Sequence, residues 1–256
     1  MARPLSSPPR PVGILGGMGP AATILLQQKL LAAVPARDDS DHVPLIIDMN
    51  PQVPSRIAHL IEGHGPDPAP VLATMARRLQ AAGACALAMP CNTAHHYAPA
   101  ITGAVTIPFL DMIELSAART AQIAPPGASV GLLASPAVRR TGLFDAALSR
   151  RGLHALWPGD DASDQRGLLE AIRLIKAEGA TDRARALLQE ASHGLARRGA
   201  ALQLIACTEL SLIAGSVAPD VTSLDTLDVL VDAITDFSLA PAASPPAASP
   251  APGPAQ

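Results

Sequence analysis

The sequence predicts an α/β fold of two similar halves, each a parallel sheet flanked by helices. Short apolar runs that suit buried strands alternate with longer stretches that suit helices, a pattern typical of parallel sheets covered on both faces. The alternation restarts near the middle of the chain, at Ser129. In each half a late strand ends in a cysteine, and these two residues, Cys91 and Cys207, lie 116 residues apart. The repeat predicts two pseudo-symmetric α/β domains.

The first half opens with a strand, a glycine-rich turn and a helix, at residues 12–15, 16–20 and 21–34. This order is the start of a βαβ unit. Residues 50–56 are predicted as a loop, because their two prolines exclude them from a central strand. The other elements predicted here are the strands 43–49, 84–89 and 105–110, the helices 68–82 and 113–123, and a helix that begins at Asn92.

The second half repeats this plan. A strand at 129–133 is followed by the small-residue turn Ala134-Ser135-Pro136 and by a helix to about residue 150. The later elements predicted are the helices 167–178, 181–198 and 227–237, the strands 202–206 and 221–224, and a helix or turn from Glu209. The Pro/Ser-rich residues 1–11 and the Ala/Pro/Ser-rich residues 239–256 are predicted to be disordered tails.

The composition restricts the class of protein. Apolar residues make up 48% of the 256 residues and aromatic residues only 2%, so the core is predicted to be aliphatic. A net charge of −3 argues against a surface for nucleic acid or anionic membranes. No apolar run reaches the roughly 18 residues of a membrane span, and the N-terminus lacks the apolar region of a signal peptide. Three cysteines without disulfide or zinc spacing indicate reduced thiols in a cytoplasmic enzyme.

Cys91 and Cys207 are the candidate catalytic residues. Each ends an apolar run and precedes a predicted helix start, where the helix dipole and free N–H groups lower a thiol pKa. Ligands of open α/β sheets bind outside the carboxyl ends of the strands, where both cysteines are predicted to lie. Two facing thiols could take a proton from one side of a substrate carbon and return one to the other side. Cys85, inside an apolar run, is interpreted as a core residue.

Short polar side chains lie beside the two thiols. Asn92, Thr93 and Thr208 could hold a carboxylate and an ammonium group, or could cap the helices that follow. The turn at residues 16–20, which contains Met18, could bring backbone N–H groups close to an anion.

Charged side chains supply further candidates. The guanidinium of Arg56 suits a carboxylate, and Lys176 lies in a mostly apolar helix, although either residue alone is also typical of a solvated surface. Lys29 and Lys176 are the only lysines, which disfavours a pyridoxal phosphate enzyme because its cofactor needs a lysine. His95 and His96 would point about 100° apart on a helix, so they predict no shared metal site. One of them is expected beside the site.

Three motifs carry a family resemblance. They are Gly-Ile-Leu-Gly-Gly-Met-Gly-Pro-Ala-Ala-Thr at residues 13–23, Pro-Cys-Asn-Thr-Ala-His at 90–95 and Ala-Cys-Thr-Glu-Leu at 206–210. In this order and at this spacing they resemble the aspartate/glutamate racemase family, in particular its aspartate racemase branch. The resemblance runs from about residue 12 to residue 237.

The resemblance implies a two-domain fold with the active site in the interdomain cleft. The implied domains are residues 12–115 with about 217–238, and residues 116–216. It implies racemisation without a cofactor or a metal, with Cys91 and Cys207 as the catalytic pair, and a homodimer. Arg56 would bind the side-chain carboxylate of the substrate. The implied substrate-binding residues are Met18, Gln52, Arg56, Asn92, Thr93, Lys176, Thr208 and Glu209.

The function predicted from these observations is racemisation of an acidic amino acid, aspartate before glutamate. Two alternatives stay open at this point. One is cis-trans isomerisation of a small dicarboxylic acid such as maleate on the same fold. The other is an amino-acid-binding protein without catalytic activity.

Overall fold

Two four-stranded parallel sheets form the framework of the computed structural model, which describes residues 8–159 and 162–240. The strands are β1 (Val12–Gly16), β2 (Leu45–Met49), β3 (Ala86–Ala88), β4 (Phe109–Leu110), β5 (Ser129–Leu133), β6 (His154–Leu156), β7 (Leu202–Ile205) and β8 (Ser223–Asp225). The sheet orders are β2-β1-β3-β4 and β6-β5-β7-β8. Both halves therefore have the same topology, and the predicted α/β fold with two parallel sheets is confirmed.

Helices cover these sheets. They are α1 (Pro20–Ala33), α2 (Arg56–Leu60), α3 (Ala69–Ala81), α4 (Ala98–Thr102), α5 (Met112–Ile123), α6 (Pro136–Thr141), α7 (Leu143–Ser149), α8 (Ala162–Glu178), α9 (Asp182–Arg197) and α10 (Thr226–Leu239). Three 3₁₀ turns span Asp39–Asp41, Thr93–Tyr97 and Leu210–Ser216. Within the described residues, no helix combines the length and the apolar character needed to cross a membrane.

Side chains of the first sheet alternate between two helical layers. Val12 and Ile14 of β1 pack with apolar residues of α1, α5 and α10 on one face, whereas Leu15 packs with α3 on the other. Successive strand residues point to opposite faces, so a strand covered on both sides needs a continuous apolar run. This requirement explains why β1 is fully buried.

The second sheet is layered in the same way. Val130 and Leu132 of β5 pack with α7, whereas Leu133 packs with α8 and α9. Helix α5 joins the two halves, because Met112 lies in the core of the first sheet and Ile113 in a core of the second. The cleft between the halves is thus supported by a shared helix.

The end of the chain differs from the predicted domain division. Residues 217–238 were assigned to the first half, but β8 pairs in parallel with β7, with Leu224 opposite Leu204. Only the helix after it, α10, packs on α1 and α5 of the first half. Because a three-residue strand gains its ladder bonds only from an adjacent strand, β8 stays with the second sheet.

Part of the predicted N-terminal tail is packed. The N–H of Arg10 donates to the carbonyl of Ser238 over 2.9 Å, and the N–H of Cys85 donates to the carbonyl of Pro11 over 2.8 Å. Arg10 and Pro11 therefore lie against the fold, and Leu239 and Ala240 at the other end are half-buried. Residues 1–7 and 241–256, for which disorder was predicted, lie outside the described residues.

Local departures from the predicted elements have simple causes. The helix predicted to follow the turn at residues 134–136 and to run to about residue 150 is broken at Gly142, whose φ of 66° ends α6. Ser55 accepts the N–H of Ala58 and starts the short helix α2 inside the predicted loop. Strand β6 was not predicted. Cys85 is half-buried and precedes β3, so it is not the fully enclosed core residue that was expected.

Candidate active site

A cleft at the carboxyl ends of both sheets brings the two cysteines together. The space between its walls is about 430 Å³, a volume that includes solvent at its open mouth. Its lining comes from both halves: Met18, Ser55, Arg56, Ile57, Cys91 and Thr93 from the first, and Ser135, Ile172, Lys176, Cys207 and Glu209 from the second. Seven of the ten residues predicted for the site from the sequence line this cleft, namely Met18, Arg56, Cys91, Thr93, Lys176, Cys207 and Glu209.

The cysteines occupy equivalent positions in the two halves. Cys91 follows β3 and Cys207 follows β7, and each of these strands is third in the order of its sheet. Both thiol residues are buried to the same extent, with 7% of each exposed. A 3₁₀ turn begins just after each of them, where the sequence predicted a helix from Asn92 and a helix or turn from Glu209. The pseudo-symmetry of the fold therefore explains how residues so distant in sequence come to share one cleft.

Cys207 lies in a short chain of polar contacts. Its Sγ donates to Oε2 of Glu209 over 3.1 Å, and Oε1 of Glu209 is 3.1 Å from Nζ of Lys176. Burial, followed by the charge and the hydrogen bond of Glu209, raises the pKa of Cys207 well above its usual value, and Lys176 partly opposes this. Burial lowers the pKa of Lys176, but Glu209 and the two cysteines raise it by more, so the ammonium stays charged.

Asn92 and Thr208 join the halves of the molecule rather than line the cleft. The hydroxyl of Thr208 donates to the carbonyl of Pro90 over 3.1 Å. In the opposite direction, Nδ2 of Asn92 donates to Thr226 over 3.1 Å, and Thr226 donates to the carbonyl of Ile205 over 2.9 Å. Each cysteine turn is therefore tied to the other half by a side chain that follows a cysteine. Both residues were predicted to bind substrate.

The loop after β2 places Arg56 in the cleft. Arg56 is the first residue of α2, and its Nη1 donates to the carbonyls of Val53 and Pro54 over 3.3 and 3.0 Å. These bonds use one of its three guanidinium nitrogens. Gln52, which was also predicted for the site, is exposed and absent from the lining, and its N–H donates to the side chain of Asn50. The loop thus contributes the cation but not the amide.

The glycine-rich turn contributes Met18, which is buried and lines the cleft. The N–H of Gly17 was a candidate anion donor, but it donates to the hydroxyl of Thr23 over 3.0 Å. A φ of 90° and the backbone of Asn50, 2.4 Å from the position of a Cβ, require glycine at residue 17. The turn therefore serves close packing of β1 against β2 at the rim of the cleft.

Sequence analysis missed four lining residues, Ser55, Ile57, Ser135 and Ile172. A signal for Ser135 was present, because the turn that contains it follows β5 as the glycine turn follows β1. The pairing of Lys176 with Glu209 was also missed, since both were interpreted as direct substrate ligands.

Comparison with known proteins agrees with this architecture. A family model described as Asp/Glu/Hydantoin racemase matches residues 15–234. The structure of the Picrophilus torridus aspartate racemase shares 27% sequence identity and a TM-score of 0.79, covering 90% of this chain and 94% of that chain.

Two more distant structures show the fold alone. An aspartate racemase homologue from Pyrococcus horikoshii OT3 has 20% identity and a TM-score of 0.68, covering 90% of this chain and 99% of its own. A glutamate racemase from Francisella tularensis subsp. tularensis SCHU S4, in complex with D-glutamate, has 15% identity and a TM-score of 0.62, with 90% and 81% covered.

The family match and the Picrophilus torridus structure support an amino-acid racemase. The matched region includes the end of β1, all of the other seven strands and both cysteine turns. Because the family model spans most of its length, this chain belongs to the Asp/Glu/Hydantoin racemase family.

Proposed function

We propose that this protein racemises an acidic amino acid, aspartate before glutamate, by a two-base reaction at Cys91 and Cys207. One observation carries the proposal: equivalent turns of the two halves supply one cysteine each to the same cleft. A pair of proton-transfer groups on opposite walls is what inversion at a carbon atom requires. The Picrophilus torridus neighbour, named an aspartate racemase, supports the choice of substrate.

The reaction begins with the two cysteines in different protonation states. Cys91, as a thiolate, removes the α-proton, and Cys207, as a thiol, gives a proton to the opposite face. The enzyme then holds a Cys91 thiol and a Cys207 thiolate, so the other enantiomer reacts by the same steps in reverse. One proton is taken and one is given, and exchange through water restores the starting state. The bond from Cys207 to Glu209 supports the assignment of Cys207 as the initial thiol.

Glu209 and Lys176 serve Cys207 in this proposal. Between turnovers, the carboxylate of Glu209 accepts the Cys207 proton and passes it to water, which leaves the Cys207 thiolate that the other enantiomer requires. The ammonium of Lys176 compensates the charge of Glu209. General acid–base groups of this kind contribute about 10²–10⁴-fold to a rate. This role replaces the earlier interpretation of Lys176 and Glu209 as direct substrate ligands.

Arg56 binds the distal carboxylate of the substrate in this proposal. Its side chain lines the wall of the first half, and the loop carbonyls of Val53 and Pro54 hold one of its nitrogens. A guanidinium fixed in this way can donate two parallel bonds to a carboxylate. We expect Arg56→Ala to lower kcat/KM for acidic amino acids, because the distal carboxylate loses its partner. An unchanged kcat/KM would show that Arg56 does not bind the substrate. Arg78, which pairs with Asp48 on the surface, is the matched control.

A direct test separates the proposal from its alternatives. The purified protein is incubated in D₂O with L-aspartate, L-glutamate or maleate and without added cofactor, and α-proton exchange and optical rotation are followed. Exchange with loss of rotation supports racemisation, and fumarate formed from maleate supports the isomerase. Absence of any reaction favours a binding protein.

Cysteine variants test the two-base assignment in the same assay. Cys91→Ala and Cys207→Ala should each abolish racemisation, because either change removes one of the two proton-transfer groups. Cys85→Ala, in the half-buried cysteine outside the cleft, is the control and should keep full activity. Full activity in Cys91→Ala or Cys207→Ala would contradict the proposal.

The homodimer and the cytoplasmic location stay predictions. Sedimentation of the purified protein tests the first of them, and fractionation of the source cells tests the second.

A further inference from the structure

His95 is a buried histidine that the proposed reaction does not use. It lies in the 3₁₀ turn Thr93–Tyr97, four residues after Cys91, with 2% of its surface exposed. It does not line the cleft. Its ring packs 5.3 Å from that of Phe109, measured between centroids. A buried imidazole needs partners for both nitrogens, since an unpaired buried polar group destabilises the fold.

The two partners of His95 fix which nitrogen carries the proton. The N–H of Met112, at the start of α5, lies 3.1 Å from Nε2 and can only donate, so Nε2 must accept. The proton of the neutral ring is therefore on Nδ1, which lies 2.9 Å from the carbonyl oxygen of Cys91 and donates to it. An imidazolium would have no acceptor for Met112.

The surroundings favour the neutral ring. Burial lowers the pKa of His95, and the charge of Asp111 and the bond to Cys91 raise it by less. Asp111 itself is engaged at the start of α5, where it accepts the N–H groups of Ile113 and Glu114. The single tautomer of His95 is thus maintained by the elements on both sides of it.

We infer that His95 is a positioning residue for Cys91, which it holds in place for proton transfer through the Cys91 carbonyl. The inference rests on the proposed function of Cys91. Two bonds fix the Cys91 backbone: its N–H donates to the carbonyl of Met89 over 2.8 Å, and its carbonyl accepts from His95. Because the peptide unit is planar, a fixed carbonyl also fixes the peptide plane between Cys91 and Asn92.

This anchor matters because Cys91 lies between elements. Strand β3 ends at Ala88 and the 3₁₀ turn begins at Thr93, so no regular ladder of bonds holds the backbone between them. Without the bond from His95, the Cys91 backbone would be free to shift, and the Sγ atom would move with its Cα. A displacement of about 1 Å at a reacting group can lower a rate by about 10²-fold.

Two conservative variants of His95 distinguish its hydrogen bond to the Cys91 carbonyl from its hydrogen bond to the Met112 N–H. In His95→Asn the amide nitrogen lies near the place of Nδ1, so the bond to Cys91 is kept and the bond to Met112 is lost. In His95→Gln the amide oxygen lies near the place of Nε2, so the bond to Met112 is kept and the bond to Cys91 is lost. Both variants lose the ring that packs on Phe109, and we expect similar falls in Tm.

The kinetic result should differ between the two variants. We expect His95→Gln to lower kcat by about tenfold or more with little change in KM, and His95→Asn to keep kcat within about threefold of the wild type. His96→Asn, at the exposed neighbouring histidine, is the control. Equal losses in the two variants, or a larger loss in His95→Asn, would overturn the inference. Failure of His95→Gln to fold would also overturn it, because the bond would then serve folding.

Alkylation of Cys91 supplies a readout that needs no turnover. We expect iodoacetamide to label Cys91 at the wild-type rate in His95→Asn and at an altered rate in His95→Gln, measured by peptide mass spectrometry. Unaltered labelling in both variants would contradict the inference. If the wild-type protein does not racemise aspartate, the proposed function fails, while the labelling comparison still decides the role of His95.

Discussion

The thiol of Cys207 donates a hydrogen bond of 3.1 Å to the carboxylate of Glu209, two residues further along the chain. Cys91, equally buried, has no corresponding acidic neighbour in its motif, where Thr93 occupies the second position after the cysteine. The two walls of the cleft are therefore alike in backbone but different in charge. Burial and the neighbouring carboxylate of Glu209 raise the pKa of the Cys207 thiol.

Replacement of Glu209 by Gln should have opposite effects on reactivity and on turnover. The carboxylate charge raises the pKa of Cys207, so its removal lowers that pKa and increases the thiolate fraction near pH 8. We expect faster alkylation of Cys207 but racemisation slower by about 10²-fold, because the proton acceptor is lost. Mass spectrometry of labelled peptides and polarimetry measure the two effects, and the labelling rate of Cys91 is the internal control. Slower labelling of Cys207 would contradict this account.

Replacement of Lys176 by Gln should raise the pKa of Cys207, whereas replacement of Glu209 by Gln lowers it. The ammonium lowers the pKa of Cys207 and pairs with Glu209, so its loss raises that pKa and slows alkylation. Racemisation should decrease mainly in kcat, and its pH profile should move to higher pH. An increase confined to the KM for aspartate would instead return Lys176 to the role of a ligand for the distal carboxylate. Lys29→Gln, at the lysine paired with Asp228, is the matched control.

These contacts mark the limit of what the sequence could predict. Cys91 and Cys207 could be predicted because each ends an apolar run, which is a local signal. The repeat of the strand pattern indicated that they lie at equivalent positions of the two halves. The pair of Lys176 and Glu209 depends on how α8 lies over the second sheet. Such packing follows from many distant contacts, so no short motif carries it.

The role of Asn92 shows the same limit. Its side-chain amide donates to the hydroxyl of Thr226, which is 134 residues away at the start of α10. A polar residue beside a catalytic cysteine is typical of both substrate binding and capping, and only the tertiary structure adds an interdomain bond to these choices. The break at Gly142 was missed for a different reason, since a glycine within a helical pattern is compatible with either continuation or termination.

Replacement of Gly17 by Ala should destabilise the fold more than the same change at Gly63. Both glycines have positive φ, of 90° and 70° respectively. A Cβ at Gly17 would lie 2.4 Å from the backbone of Asn50, whereas nothing lies within 4 Å of one at Gly63. We expect Gly63→Ala to cost about 1 kcal/mol of unfolding free energy through backbone strain alone, and Gly17→Ala to cost at least about 2 kcal/mol more. Urea unfolding measures both, and equal losses would contradict the contact with Asn50.

Asp225 should make the stability of the fold depend on pH between about 4 and 6. Its side chain is buried at the start of α10, where it accepts from Leu227 and Ser211, and Nζ of Lys29 lies 3.9 Å away. Burial raises the pKa of Asp225 to about 6 from an ordinary value of 3.8. Between these values the folded state keeps a proton that the unfolded state has lost, so the unfolding free energy falls as pH rises.

Asp225→Asn should remove this dependence. A shift of about two pKa units corresponds to about 3 kcal/mol, so we expect the difference in unfolding free energy between wild type and variant to change by that order from pH 4 to pH 7. Burial lowers the pKa of His95, so the protonation of His95 acts in the opposite direction below its ordinary pKa of 6.5, but it affects both proteins and cancels in the difference. Asp228→Asn, at the exposed partner of Lys29, is the control. Urea unfolding measures these free energies from pH 4 to pH 7. A difference between wild type and Asp225→Asn that does not vary with pH would contradict the assignment.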